Sequence, residues 1–293
     1  MKKILIFAIA CTFGLNLNGQ NQKGQSILGE ATGDNSGISV SMPTPNTVAI
    51  GAEGNDGNGN NSGHVRVYSW NGINWVQKGQ DLDGVAAADF FGASLSMPDE
   101  NTIGIGARGN DNAGLGRGHA GVFIWDNNSN LWVQKGNYID GEANLDNSGR
   151  TVFMPDENTI AIGAPDNDGN GSNAGHVRIF VWNGVNWVQK GTDIDGTAAS
   201  DFSGNSISMP DANTIAIGAV ANDINGSNSG EARIFRWNGT NWVQKGLSLY
   251  GDAIDDNFGQ SVAMPDSNTI AVGSDKNDDA GTSAGKVKIF SWN

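Results

Sequence analysis

Gly149-Arg150-Thr151-Val152-Phe153-Met154-Pro155 is followed by Asn158-Thr159-Ile160-Ala161-Ile162-Gly163-Ala164-Pro165, by Gly175-His176-Val177-Arg178-Ile179-Phe180-Val181-Trp182, and by Asn186-Trp187-Val188-Gln189-Lys190-Gly191. Each run is short, alternates or is β-branched, and is bounded by Gly, Pro, Asn or Asp, which is the signature of a strand. These runs are named strands A to D. Working outward, Met-Pro recurs at Met42-Pro43, Met97-Pro98, Met154-Pro155, Met209-Pro210 and Met264-Pro265, at spacings of 55, 57, 55 and 55 residues. A period of that length marks a repeat architecture, and four strands per unit is the content of a propeller blade.

The ends of the chain fit the same scheme. Gln22-Lys23-Gly24 repeats the Gln-Lys-Gly that closes each strand D, while Trp292-Asn293 stands at the end of a strand C. The expectation is an all-β, five-bladed β-propeller of four-stranded antiparallel blades over residues 20–293. It predicts a ring closed by pairing residues 20–28 with residues 286–292, since closure removes exposed sheet edges. The innermost strand carries small hydroxyl residues in register, Ser39, Ser94, Thr151, Ser206 and Ser261, as a narrow axis requires.

Composition agrees. With 43 Gly and only 17 Lys plus Arg among 293 residues, long helices are disfavoured. A formal charge of -14 repels phosphates and anionic membrane surfaces, which argues against nucleic acid and membrane partners. Met1-Lys2-Lys3 and the apolar run after it read as a secretory signal peptide over residues 1–19, too short for a membrane span. The single cysteine, Cys11, falls within it, so the mature chain carries no disulfide; acylation of Cys11 after Ala8-Ile9-Ala10 is the alternative, a lipid anchor.

Asp89-Phe90-Phe91-Gly92, Asp201-Phe202-Ser203-Gly204 and Asp256-Asn257-Phe258-Gly259, with the Gly-Ala steps Gly106-Ala107, Gly163-Ala164-Pro165 and Gly218-Ala219, resemble FG-GAP repeats, the units of integrin-α-type propellers. The bacterial secreted variety is the closer likeness, because its units also carry a strand like Trp75-Val76-Gln77-Lys78. The resemblance implies a propeller; fold alone does not fix function. Two features depart from the family. The Asp-rich calcium loop of integrin units is reduced here to turns such as Met209-Pro210-Asp211-Ala212-Asn213-Thr214, and the family's usual seven blades become five.

Chemistry-bearing residues divide into four sets. His64, His119 and His176 share one repeat position, at which the other units have Glu231 and Lys286, so they read as structural rather than catalytic. No nucleophile elbow, phosphate loop or His-Glu-x-x-His motif occurs, and the expectation is a non-enzyme. Trp pairs flank the hairpin joining strands C and D and should stack across it, with sugar binding as the rival use. Asp34, Asp89, Asp146, Asp201 and Asp256, with Asp56, Asp111, Asp168, Asp223 and Asp278, lie in the loops of one face; they suit turn capping, or weak calcium binding. Finally, the position before the A-strand hydroxyl varies freely as Ile38, Ala93, Arg150, Asn205 and Gln260, which predicts that Arg150, Asn205 and Gln260 converge on a ligand. The resulting expectation is a secreted or cell-surface adhesion or recognition module, a monomeric ring binding an extracellular protein or glycan. A lectin and a carboxylate-based hydrolase are the rivals.

Overall fold

The computed structural model describes residues 21–292, so the expected signal peptide and Cys11 lie outside the described residues. Every regular element there is a β-strand, and the strands form five successive antiparallel sheets. In the first blade, strands A (Ser39–Thr44), B (Thr47–Ala52) and C (His64–Trp70) lie in sequence order. The A–B register breaks between Ser41 and Thr44, at Met42-Pro43, because proline has no N–H to give the ladder.

Strand D comes in two pieces rather than one. Trp75–Gln77 pairs with the outer end of strand C, setting Trp70 opposite Trp75, and Leu82–Asp83 returns to pair with His64 and Val65 at the inner end. Between the pieces lies the Lys-Gly dipeptide, whose lysine N–H still donates to its own strand C (Lys135 to the Val122 carbonyl at 2.8 Å) while its glycine meets the next blade. The glycine is required there: Gly136 has φ +76°, and a Cβ on it would stand 2.6 Å from Cζ3 of Trp182 in the next blade.

The core lies between blades. Ala49, Val65 and Val67 of the first blade pack with Leu95, Met97, Ile103 and Ile105 of the second, and Ala161, Val177 and Ile179 of the third pack likewise with Met209, Ile215 and Ile217 of the fourth. Both faces of a blade are therefore buried, which is why Thr159–Ala164 is buried at every position instead of alternating. Each buried Val, Ile, Leu or Met side chain among these contributes about 1.5–3 kcal/mol. Near the axis the A-strand hydroxyls donate sideways: Ser39 Oγ to the Gly92 carbonyl at 2.6 Å, Ser94 to Gly149 at 2.8 Å, Thr151 to Gly204 at 2.6 Å and Ser206 to Gly259 at 2.7 Å.

Pairing of residues 20–28 with the last blade, as expected for a closed ring, is not found. The last blade has three strands, Phe258–Asp266, Thr269–Ser274 and Lys286–Ser291, and among the described residues none pairs with the outer edge of the third. The N-terminal segment touches the first blade as each strand D touches the blade after it. Trp75 Nε1 donates to the Lys23 carbonyl at 2.9 Å, Gln25 to the Trp75 carbonyl at 3.3 Å, and Arg66 to the Leu28 carbonyl at 3.1 Å. A seam is left between the fifth blade and the first. Val287 and Ile289 are 67% and 73% exposed where Val177 and Ile179 are buried, and Val40 and Met42 are 58% and 51% exposed where Leu95 and Met97 are buried.

Candidate functional site

Two positions escape the repeat, and the fold brings them to one mouth of the ring. One is the residue before the A-strand hydroxyl; the other directly follows strand B and is Glu53, Arg108, Pro165, Val220 or Asp275. Ile38, Ala93 and Arg150 join Glu53 and Arg108 around a cavity of about 190 Å³. Arg108 Nη2 lies 3.3 Å from Glu53 Oε2, and its guanidinium sits 4.2 Å from the centre of the Phe90 ring, so this cation is held in place from two sides. Two guanidiniums face one carboxylate. This cavity, though not the mouth as a whole, where Asp275 restores the balance, thus carries an excess of one positive charge on a chain of formal charge -14. Of the three residues expected to converge, Arg150 opens into this cavity, whereas Asn205 Nδ2 donates to Gln260 Oε1 at 3.4 Å and the two occupy each other.

The ten loop aspartates have a different use. Asp34 Oδ2 accepts the N–H groups of Glu30 and Ala31 and the amide of Asn55, and Asp89, Asp146, Asp201 and Asp256 repeat the pattern one unit apart. Burial alone would raise the Asp34 pKa; the donors from Ala31, Asn55 and Glu30 outweigh it and hold the carboxyl below its usual range. In the second set, Oδ1 of Asp56, Asp111, Asp168, Asp223 and Asp278 accepts the backbone N–H five residues on. This is turn capping. Among the described residues, none of the ten falls in a group of three ligand atoms close enough to share an ion.

The Trp pairs meet across the hairpin as expected, with centroids 5.4–5.5 Å apart. They are also occupied. The lysine of the preceding unit covers each pair, with Lys135 Nζ 5.4 Å from the rings of both Trp182 and Trp187, and Trp187 Nε1 donates to the Lys135 carbonyl at 2.7 Å.

Residues 187–235 and 250–290, covering the inter-unit lysine, the capping aspartates and strands A to C, match the FG-GAP repeat family. Two stretches of this chain are FG-GAP repeats. Among solved structures, one from Bacteroides uniformis, of a protein assigned by name to 6-phosphogluconolactonase, superposes with a TM-score of 0.58 at 11% identity over 88% of this chain and 68% of that one. The β-propeller domain of the Trilobed protease from Pyrococcus furiosus gives a TM-score of 0.48 at 13% identity over 86% and 68%. The likeness to the first is one of fold alone. No curated protein matches the sequence.

The FG-GAP units differ most at a three-residue slot around the first residue of strand C. In the first blade His64 Nδ1 faces Glu30 Oε2 at 3.8 Å and Asp81 Oδ2 at 4.0 Å; in the third, His176 Nδ1 faces Glu142 Oε2 at 3.8 Å and Asp193 Oδ2 at 3.9 Å. In the second blade the two carboxylate positions hold Val85 and Tyr138, and the Tyr138 ring stacks on His119 at 4.1 Å. The fourth has Glu231 at the centre, with Arg233 Nε 3.3 Å away, and the fifth has Lys286 between Asp252 and Asp279. Burial pushes the imidazoles of His119 and His176 down to about 4, so both are neutral near pH 7. Along the sequence the histidines stand one unit apart from one another, and their carboxylate neighbours come together with them only in the fold. The sequence signal of the slot is the joint variation of all three positions from unit to unit.

Proposed function

We propose that this FG-GAP protein is a non-catalytic recognition module of the secreted or cell-surface kind, whose axial mouth takes an acidic group of an extracellular protein or glycan. One observation carries the reading: two of the positions that do not repeat from unit to unit meet at the mouth, where Arg108 and Arg150 share a cavity. A planar guanidinium suits a carboxylate or sulfate through paired hydrogen bonds. The Trp pairs that motivated a lectin are covered by lysines, so a glycan would engage the mouth rather than the rim. The carboxylates that motivated a hydrolase are engaged as turn caps. Export rests on the N-terminal apolar run, and a rigid array of blades presenting loops suits adhesion.

The test is binding to immobilised panels of acidic and neutral glycans and of acidic peptides, with the parent chain and an R108A/R150A variant. Acidic ligands should be retained by the parent and weakened roughly tenfold or more in the variant, the scale of a lost charge-assisted hydrogen bond. Undiminished binding by the variant, or a preference for neutral ligands, would overturn the assignment.

A further inference from the structure

We infer that the two slots Glu30/His64/Asp81 and Glu142/His176/Asp193 are divalent metal sites of the zinc type, one in the first blade and one in the third. In each, one imidazole nitrogen and two carboxylate oxygens lie within 4.8 Å of one another. The rest of each slot is built to aim them. Glu30 Oε1 is held by Arg66 at 3.1 Å and Asp81 Oδ1 by Gln77 at 2.5 Å, which turns Oε2 and Oδ2 toward His64 Nδ1. Glu142 Oε1 faces Arg178 at 3.7 Å and Asp193 Oδ1 accepts from Gln189 at 2.5 Å, with the same result around His176. Partners of this sort are what orient metal ligands.

The histidine supplies the independent sign. His176 is 1% exposed, its Nε2 has no hydrogen-bond partner, and its Nδ1 stands too far from either carboxylate for a hydrogen bond. The side chain is buried without a hydrogen-bond partner, and its Nδ1 edge is aimed between two carboxylate oxygens. Separations of 3.8–3.9 Å exceed by about half an ångström those expected around a tetrahedral zinc with bonds of about 2.0–2.1 Å, a closure that carboxylate rotation allows.

Charge points the same way. Two carboxylates and one arginine leave each slot one negative charge in excess when the imidazole is neutral. The fifth blade shows the local remedy, with the Lys286 ammonium 2.8 Å from Asp252 and 2.7 Å from Asp279. Where the second blade loses both carboxylates, an aromatic ring takes the place beside the histidine. One nitrogen and two oxygens, too few oxygens for calcium, favour zinc or a similar transition ion with water completing the shell.

Calorimetric titration of the full chain with Zn²⁺, backed by metal analysis after dialysis, should give two equivalents per chain. E30Q/D81N and E142Q/D193N should each remove one, and the fourfold variant both. D140N, beside His119 in the second blade, should leave two. Carboxamides keep the side-chain shape, and near-ultraviolet circular dichroism checks that each variant is folded. A four-coordinate Co²⁺ absorption band that halves with either pair is the second readout. Undiminished zinc in the folded fourfold variant, or none on the folded parent, would overturn the inference.

Discussion

Lys78 Nζ lies 4.9 Å from the ring centre of Trp125 and 5.2 Å from that of Trp132, both in the following blade, while donating to the Glu100 carbonyl at 2.6 Å and to Asn101 Oδ1 at 2.8 Å. Lys135 and Lys190 repeat this one unit on, Lys245 does so against Trp292 alone, and Lys23 of the N-terminal segment does so on the first blade. The broken D strand, the positive-φ glycine and the Trp pair are parts of one latch between blades. It explains why Gln-Lys-Gly appears before the first blade, where no strand needs it.

Replacing the latch lysine should therefore weaken an interface rather than a hairpin. K135A removes a cation shared by two indoles and two charged hydrogen bonds, and should lower stability by about 2 kcal/mol in urea unfolding. K245A should lose less, because it faces only Trp292. Equal effects, or none for K135A, would mean that the stacking carries little.

The seam makes an opposite prediction for two chemically similar pairs. V287K/I289K places charges where the side chains are already mostly exposed, and should change stability by less than about 0.5 kcal/mol. V177K/I179K buries two unpaired ammonium groups between the third and fourth blades and should abolish folding or cost several kcal/mol. Comparable loss in both variants would show that the fifth blade's outer face is covered.

The repeat, the strand content and the packing role of Trp187 were legible because each rests on contacts within one unit or between successive units, which periodicity records. The seam was not, because closure depends on how a small rotation per blade accumulates, and no residue encodes that sum. Residues 20–28 were assigned to the last blade by counting strands, when Lys23 already matched Lys78 in its role toward the following blade. His176 was hidden for another reason: Glu142 lies 34 positions before it and Asp193 17 after, so the cluster exists only once strands C and D have paired.

Acid should weaken the fold through His119. Its pKa falls from 6.5 to about 4 because burial disfavours the cation, and its neighbours are the stacked Tyr138 ring and Asp140, 3.9 Å away. Between those two values the unfolded chain binds a proton that the folded chain refuses. The contribution is complete above pH 6.5 and declines as pH falls toward 4, by up to about 3 kcal/mol. Urea midpoints from pH 7 to 4.5 should follow that course, and the slope should lessen in H119Q, with the dependence from His176 remaining. A His119 imidazole titrating near 6.5 by nuclear magnetic resonance in the folded chain would contradict it.

The last test separates capping from calcium on the loop face. Asp201 Oδ2 accepts from the Thr197 N–H at 2.9 Å, the Thr197 hydroxyl at 2.6 Å and the Ala198 N–H at 2.8 Å, and Oδ1 from the Asn222 amide at 3.2 Å, so Oδ2 is saturated and both oxygens are already engaged by the protein. D201A strips the acceptor from several buried donors together and should cost about 3 kcal/mol, a loss that calcium neither deepens nor relieves. In the parent chain, calcium and magnesium at equal ionic strength should raise the melting temperature equally, since screening of the acidic surface does not distinguish the two ions. A flexible oxygen-lined loop would distinguish them, because calcium accepts irregular shells of six to eight oxygens that magnesium refuses. A larger calcium shift in the parent that vanished in D201A would mean that the ion displaces these hydrogen bonds, and the capping role would then belong only to the metal-free chain.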